Sequence, residues 1–114
     1  MSEDTFYVSN KACVLNDDKV LLLKTHEEEW ELPGGHLEHG EGITSSLARE
    51  LREETGCDVE NLSLVTASTN SDAFPDDDYV TLFWRGSCKG QVTISDEHTD
   101  HTWVSRHRLS SYSL

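Results

Sequence analysis

One stretch constrains this chain more than any other: Gly34 to Cys57, reading GGHLEHGEGITSSLARELREETGC. Ile43, Leu47, Ala48 and Leu51 fall at helical spacing, which predicts a helix with one apolar face over its later part. Gly56 stands where a left-handed cap would end that helix. On such a helix Ile43, Leu47, Glu50 and Glu54 form one continuous stripe, with Glu53 on its edge. Carboxylates therefore extend a line that begins facing a core. Glu50 and Glu54 are like charges one turn apart, at a cost of about a few tenths of a kcal/mol. Glu53 and Glu54 also occupy the last turn, where the helix dipole disfavours negative charge. Two readings fit: a solvated helix end in a very acidic protein, or a site where clustered carboxylate oxygens hold a hard divalent cation.

The full spacing separates the two. Gly35, five residues, Glu41, seven residues, then Arg49-Glu50-Leu51-Arg52-Glu53-Glu54-Thr55-Gly56-Cys57 resembles the signature of the Nudix (MutT-type) hydrolases. Trp30-Glu31-Leu32-Pro33-Gly34 resembles the family's approach to that motif. Every fixed position is filled, and Cys57 stands where the family usually carries a larger aliphatic residue, which Cys can replace as a small hydrophobe. Unlike a lone glycine motif, so many fixed positions are not met by chance. The motif covers about a fifth of the chain, and the strand order and the Glu97–Trp103 segment extend the resemblance more weakly over most of it.

The resemblance implies an α/β (α+β) chain, a Nudix α/β/α sandwich with a mixed β-sheet, over residues 1–114 as a single domain. Its C-terminal helix is short or missing. It implies a metal-dependent pyrophosphohydrolase in which water attacks phosphorus, on a small (deoxy)nucleoside triphosphate or an ADP-ribose-type compound. Glu50, Glu53 and Glu54 would be the metal-binding carboxylates. The Gly34 carbonyl and Glu97, from a later loop, would be further ligands. Glu53 or Glu50 could double as the base that orients water, and Glu97 could serve as the base once substrate is bound, with Asp96 and Asp100 as its neighbours and substitutes. Arg49 would fix the rotamers of these acids; its plainer reading is a surface ion pair of little worth. Glu41 would support the loop–helix junction, or simply be an acid near a helix start. Gly35 and Gly56 would be structural. The cofactor implied is Mg²⁺ or Mn²⁺, since a polyanionic diphosphate cannot be bound by carboxylates directly. The rival reading is a Nudix-like module that binds a nucleotide without turning it over. Such modules usually lose motif acids, and this chain keeps them all. A general acidic interaction domain leaves the motif unexplained. Nothing in the sequence singles out substrate-binding residues.

Composition narrows the partners. The formal charge is −13, and lysine occurs only at Lys11, Lys19, Lys24 and Lys89. That argues against non-specific nucleic-acid or anionic-membrane binding; the small-molecule nucleotide partner is what the resemblance implies, with a homodimer open. The acid excess suits either a salt-loving source or an ordinary acidic protein. Met1-Ser2-Glu3-Asp4 lacks the apolar run of a signal peptide, and the longest aliphatic run, Val20 to Leu23, is far short of a membrane span. Cys13, Cys57 and Cys88 show no paired-ligand spacing and read as reduced thiols in a cytoplasmic protein.

Along the chain, strands are expected at Thr5–Leu15 and Lys19–Thr25, joined at Asn16-Asp17-Asp18 as a hairpin. Pro33-Gly34-Gly35 should break regular structure and let a ligand approach the backbone. Leu62–Ser68 and Tyr79–Arg85 read as strands, with a loop at Thr69–Asp78 that exposes Phe74. Gln91–Ile94 reads as a short edge strand, Ser95–Asp100 as a polar loop, Thr102–Val104 as the last strand, and Ser105 as the cap of a short helix. His36 and His39 in the motif loop, and His98 and His101 beside the later one, read as solvated. The oxygen-rich acids favour Mg²⁺ or Mn²⁺ over zinc. Trp30, Phe74 and Trp84 could stack a base or serve the core, and Lys24 and Arg85 are strand cations that could meet phosphate.

Overall fold

The computed structural model describes residues 6–69, 78–112 and 114; the expectations for Phe74 and for the N-terminal residues lie outside them. The elements run β1 (Phe6–Asn16), β2 (Lys19–Lys24), β3 (Trp30–Glu31), β4 (Gly34–His36), α1 (Ile43–Thr55), β5 (Glu60–Thr69), β6 (Asp78–Ser87) and β7 (Asp100–Ser105), then a 3₁₀ helix over Arg106–Ser111.

The sheet is mixed and organised on β1. One edge of β1 is taken by β6, parallel from Phe6↔Asp78 to Leu15↔Ser87. The other is shared: β4 pairs with its middle, Lys11↔Gly34 and Ser9↔His36, and β2 with its end, Asn16↔Lys19. The order is β3-β2-β1-β6-β5, with β7 antiparallel on β2. The expected hairpin is present, and Asp17 takes the left-handed conformation at its turn, φ 53°. Splitting one edge of β1 between two partners brings the glycines of the motif against the centre of the sheet.

The helix packs on the sheet through Leu47 and Leu51, which meet Ala12, Val14, Leu21, Leu23 and Trp84. Burying each leucine contributes roughly 1.5–3 kcal/mol. Ile43, in the first turn, lies outside that contact and is 43% exposed. Gly56 ends α1 at φ 72°, with its N–H on the Arg52 carbonyl. On the far side of the sheet, the described residues carry only the six-residue 3₁₀ helix in place of a second α-layer.

Two expectations are corrected here. Gln91–Ile94 is not a strand. Its Thr93 N–H instead donates to the Thr55 carbonyl at 2.8 Å, satisfying the end of α1, while Val92 and Ile94 lean on the core. Cys57 and Cys88 are not separate reduced thiols. They form a disulfide across 31 residues of sequence, because the helix cap and the end of β6 meet there, and Cys13 alone is free. The cysteine argument for a cytoplasmic protein goes with them. Among the described residues, no helix is long and apolar enough to cross a membrane.

Candidate functional site

Strand β4 delivers the motif to the helix. Gly34 lies so close to β1 that a Cβ there would overlap the Asn10 carbonyl, and its φ of 152° is one that side-chain-bearing residues rarely adopt. Gly35 faces the helix: a Cβ on it would sit 2.6 Å from Glu50 Cδ and 2.7 Å from Glu50 Oε2. The absent side chain is thus the space the Glu50 carboxylate fills.

Arg49 gathers the acids. Its Nε and Nη2 grip Glu41 side-on at 2.8 and 3.0 Å, Nη1 reaches both oxygens of Glu53 at 3.1 and 3.2 Å, and Nη2 also reaches Glu50 at 3.2 Å. Glu38 stands a further 3.7 Å away. Such a fork, bidentate on a carboxylate, is more than a lone surface pair. The bond to Arg49 holds Glu41 below the usual carboxylate range, and the acids hold the guanidinium firmly protonated. Glu50 shifts the other way: burial raises its pKa, Arg49 opposes this, and Glu53 and Glu97 add to the rise.

Glu54 is set apart. Only 5% exposed, it turns under the helix beside Leu47 and Leu51, where Oε1 accepts the Gly34 N–H at 2.9 Å. Burial pushes its pKa up to about 7, against the pull of that N–H and of His98 and Lys11.

The structure thus joins Glu41, Glu50 and Glu53 on Arg49 and puts Glu54 on Gly34, while Glu97 stands exposed on a separate loop. Among the described residues no three His, Cys, Asp or Glu side chains form a ready-made metal cage. The donors nevertheless fit a hard divalent cation: they are carboxylate and carbonyl oxygens, and the missing side chain at Gly35 lets the Glu50 carboxylate come close to the backbone of the glycine loop. A cation such as Mg²⁺, which retains much of its water, needs few of them.

Other residues depart from expectation. His98 is not a solvated loop histidine; it is 6% exposed, with Nε2 2.8 Å from Glu31 Oε2. Glu31 Oε1 lies 3.7 Å from Lys11 Nζ, which donates to the Leu32 carbonyl. Lys11, Glu31, Leu32, Thr81, Phe83 and Leu114 line a void of about 360 Å³ next to β4. Sequence reasoning gave no role to Lys11 and Glu31; the signal was a lysine inside an apolar strand and a glutamate between Trp30 and Leu32. Trp84 serves the core, its Nε1 donating to Asn10 Oδ1. Trp30 meets Tyr112 edge-on, under the Lys24 ammonium. Arg85 is exposed and lines a separate void with Cys13.

The site is thus one acidic helix set on a glycine-rich loop against a mixed sheet, with an arginine knotting its carboxylates. The NUDIX domain pattern matches residues 7–113, and the chain belongs to the Nudix hydrolase family, enzymes that act on pyrophosphate bonds. It is 32% identical over 118 residues to a nucleoside triphosphatase, NudI, of Escherichia fergusonii, covering 89% of this chain and 83% of that protein. It is 43% identical over 74 residues to the Nudix hydrolase YvcI of Bacillus subtilis, covering 63% of this chain and 46% of that one. A crystal structure of a MutT Nudix hydrolase from Burkholderia pseudomallei superposes with TM-score 0.78 at 25% identity, over 90% of this chain and 84% of that one. The MutT protein of Methanosarcina mazei Go1 shares the fold, with TM-score 0.82 at 24% identity over 99% and 86%. Nudix hydrolases generally use a divalent metal.

Proposed function

We propose that the chain hydrolyses a small nucleoside triphosphate with Mg²⁺ or Mn²⁺ as cofactor. The observation that carries this is the Arg49 knot beside the Gly35 gap, which orders Glu50 and Glu53 on one face of α1. The likeness to NudI supports a triphosphate over an ADP-ribose-type substrate. Glu50, Glu53 and Glu54, with the Gly34 carbonyl and Glu97, are the groups that would hold the cation. Bound there, it would supply charge neutralisation to phosphate oxygens that carboxylates cannot approach. Arg49 fixes the rotamers of Glu50 and Glu53, and Glu41 fixes Arg49.

Glu50 or Glu53 accepts the proton of the attacking water as the new P–O bond forms, and the bridging P–O bond breaks with its electron pair on the departing phosphate oxygen. The void beside Lys11 and Phe83 receives the nucleoside, since it offers one aromatic wall and a cation next to Gly34. The −13 charge leaves the substrate to be drawn in by these local cations. Incubating the protein with a panel of nucleotides and either metal, products resolved by chromatography, tests the reading. Triphosphates should be consumed first; turnover confined to ADP-ribose-type compounds would reassign the substrate.

Two further outcomes are expected. Mg²⁺ should raise the melting temperature over EDTA, by mass action on the folded state: at a hundredfold excess over Kd the gain is about 2.7 kcal/mol. Equal melting temperatures with full activity in chelator would remove the metal from the mechanism. Gly35→Ala should fold normally, because the atoms its Cβ meets are the far end of a flexible side chain. Displacing the Glu50 carboxylate should lower kcat by about tenfold, or about 1.4 kcal/mol. Wild-type kinetics in that variant would show that the position of Glu50 does not matter.

A further inference from the structure

The loop that carries Glu97 is fastened at several points. Thr99 N–H donates to the Lys24 carbonyl at 2.9 Å, and His26 Nε2 lies 2.7 Å from the Asp96 carbonyl. Its innermost fastening is different in kind. His98 is buried, its Nε2 is 2.8 Å from Glu31 Oε2, and its Nδ1 is enclosed without a partner among the described residues. Enclosing a polar atom unsatisfied costs roughly 1–3 kcal/mol, so a sequence seeking stability alone would be better served by an apolar residue here. The bond to Glu31 decides where the loop sits. Drawing His98 inward leaves the neighbouring Glu97 exposed on the same loop, and its charge adds to the raised pKa of Glu50. Glu31 belongs to β3, three residues before Gly34, and its other oxygen faces Lys11 at the void.

We infer that His98 is a positioning residue. Its bond to Glu31 sets the Glu97 carboxylate against the acidic helix and ties that loop to the strand leading into Gly34 and to the wall of the void. The inference rests on the proposed part of Glu97 in turnover. Glu97 acts on the reaction; His98 acts only through it.

A double-mutant cycle on kcat tests this, with Glu97→Gln, His98→Phe, which fills the volume without the bond, and His98→Gln, whose amide can still meet Glu31. Glu97→Gln should lower kcat about tenfold, equivalent to about 1.4 kcal/mol. His98→Phe should match that loss with KM changed less than about twofold, His98→Gln should recover most of it, and His98→Phe should add almost nothing in the Glu97→Gln background. Amide exchange at Thr99, measured without metal or nucleotide, should speed up in His98→Phe and not in Glu97→Gln. If His98→Phe does not fold, Glu31→Ala carries the same expectation on kcat from a half-exposed position. A full loss in Glu97→Gln beside wild-type kcat in His98→Phe, or losses that multiply in the double variant, would overturn the positioning role while leaving Glu97 in place. Wild-type kcat in Glu97→Gln would instead bring down the reading of Glu97, and this inference with it.

Discussion

Glu53→Gln is expected to lower turnover by about a thousandfold, or about 4 kcal/mol of transition-state stabilisation, in a protein that remains folded. The Glu53 side chain is 54% exposed and bonds only to Arg49 among the described residues, so no core contact depends on it. Removing its charge takes a negative group out of the last helical turn, which is mildly favourable, and leaves Arg49 on Glu41 and Glu50. What the amide cannot do is hold a cation as an anion or take a proton from water. Steady-state kinetics at saturating Mg²⁺, with melting curves run alongside, measures both halves. Near-normal kcat would move the chemistry to other acids, and a large drop in melting temperature would mean that the charge is structural.

Glu54 should reveal itself through pH. Its carboxyl is raised to about 7 in the folded state, chiefly by burial, from a value of 4.5 in the unfolded chain. Below pH 4.5 both states hold the proton and nothing is lost. Between 4.5 and about 7 the unfolded chain ionises first, so stability falls as pH rises, and above about 7 the deficit is constant. At 1.36 kcal/mol per unit, the deficit in the metal-free protein is about 3 kcal/mol. Glu54→Gln removes the ionisation and keeps an oxygen for the Gly34 N–H. Urea unfolding in EDTA should therefore find the variant more stable than wild type by about 3 kcal/mol at pH 8 and little different at pH 4. A constant difference across that range would mean that Glu54 does not titrate with folding.

The helix, its αL cap, the hairpin and the last strand were legible because each rests on local chemistry: apolar periodicity over Leu47 and Leu51, glycine at position 56, a turn at Asp17. Glu50 and Glu53 were legible as neighbours because they defy the local rules of a helix end, whereas Glu54, expected beside them, turns instead to the Gly34 N–H. What joins them was only half legible. Spacing places Arg49 one turn from Glu53, but its side-on grip on Glu41 depends on how the loop folds back, which no period encodes. The same limit hid His98. Its polarity and its polar neighbours read as surface, and only the approach of β3, through Glu31, makes an interior for it. The disulfide was misread for a related reason: Cys57 and Cys88 meet through the packing of α1 against β6, far apart along the chain. Gln91–Ile94 had the alternation of a strand, yet its Thr93 N–H is taken by the end of the helix rather than a ladder.

Arg49 carries a last consequence, for the order in which the molecule is assembled. Carboxylates crowded on one helix face repel one another, and many small metal-binding domains stay unfolded without their ion. This chain encodes its own counter-ion, one guanidinium shared among Glu41, Glu50 and Glu53. Maturation can then proceed in either sequence, polypeptide first and ion later, and an ion lost to a competitor leaves behind an organised vessel rather than a collapsed chain.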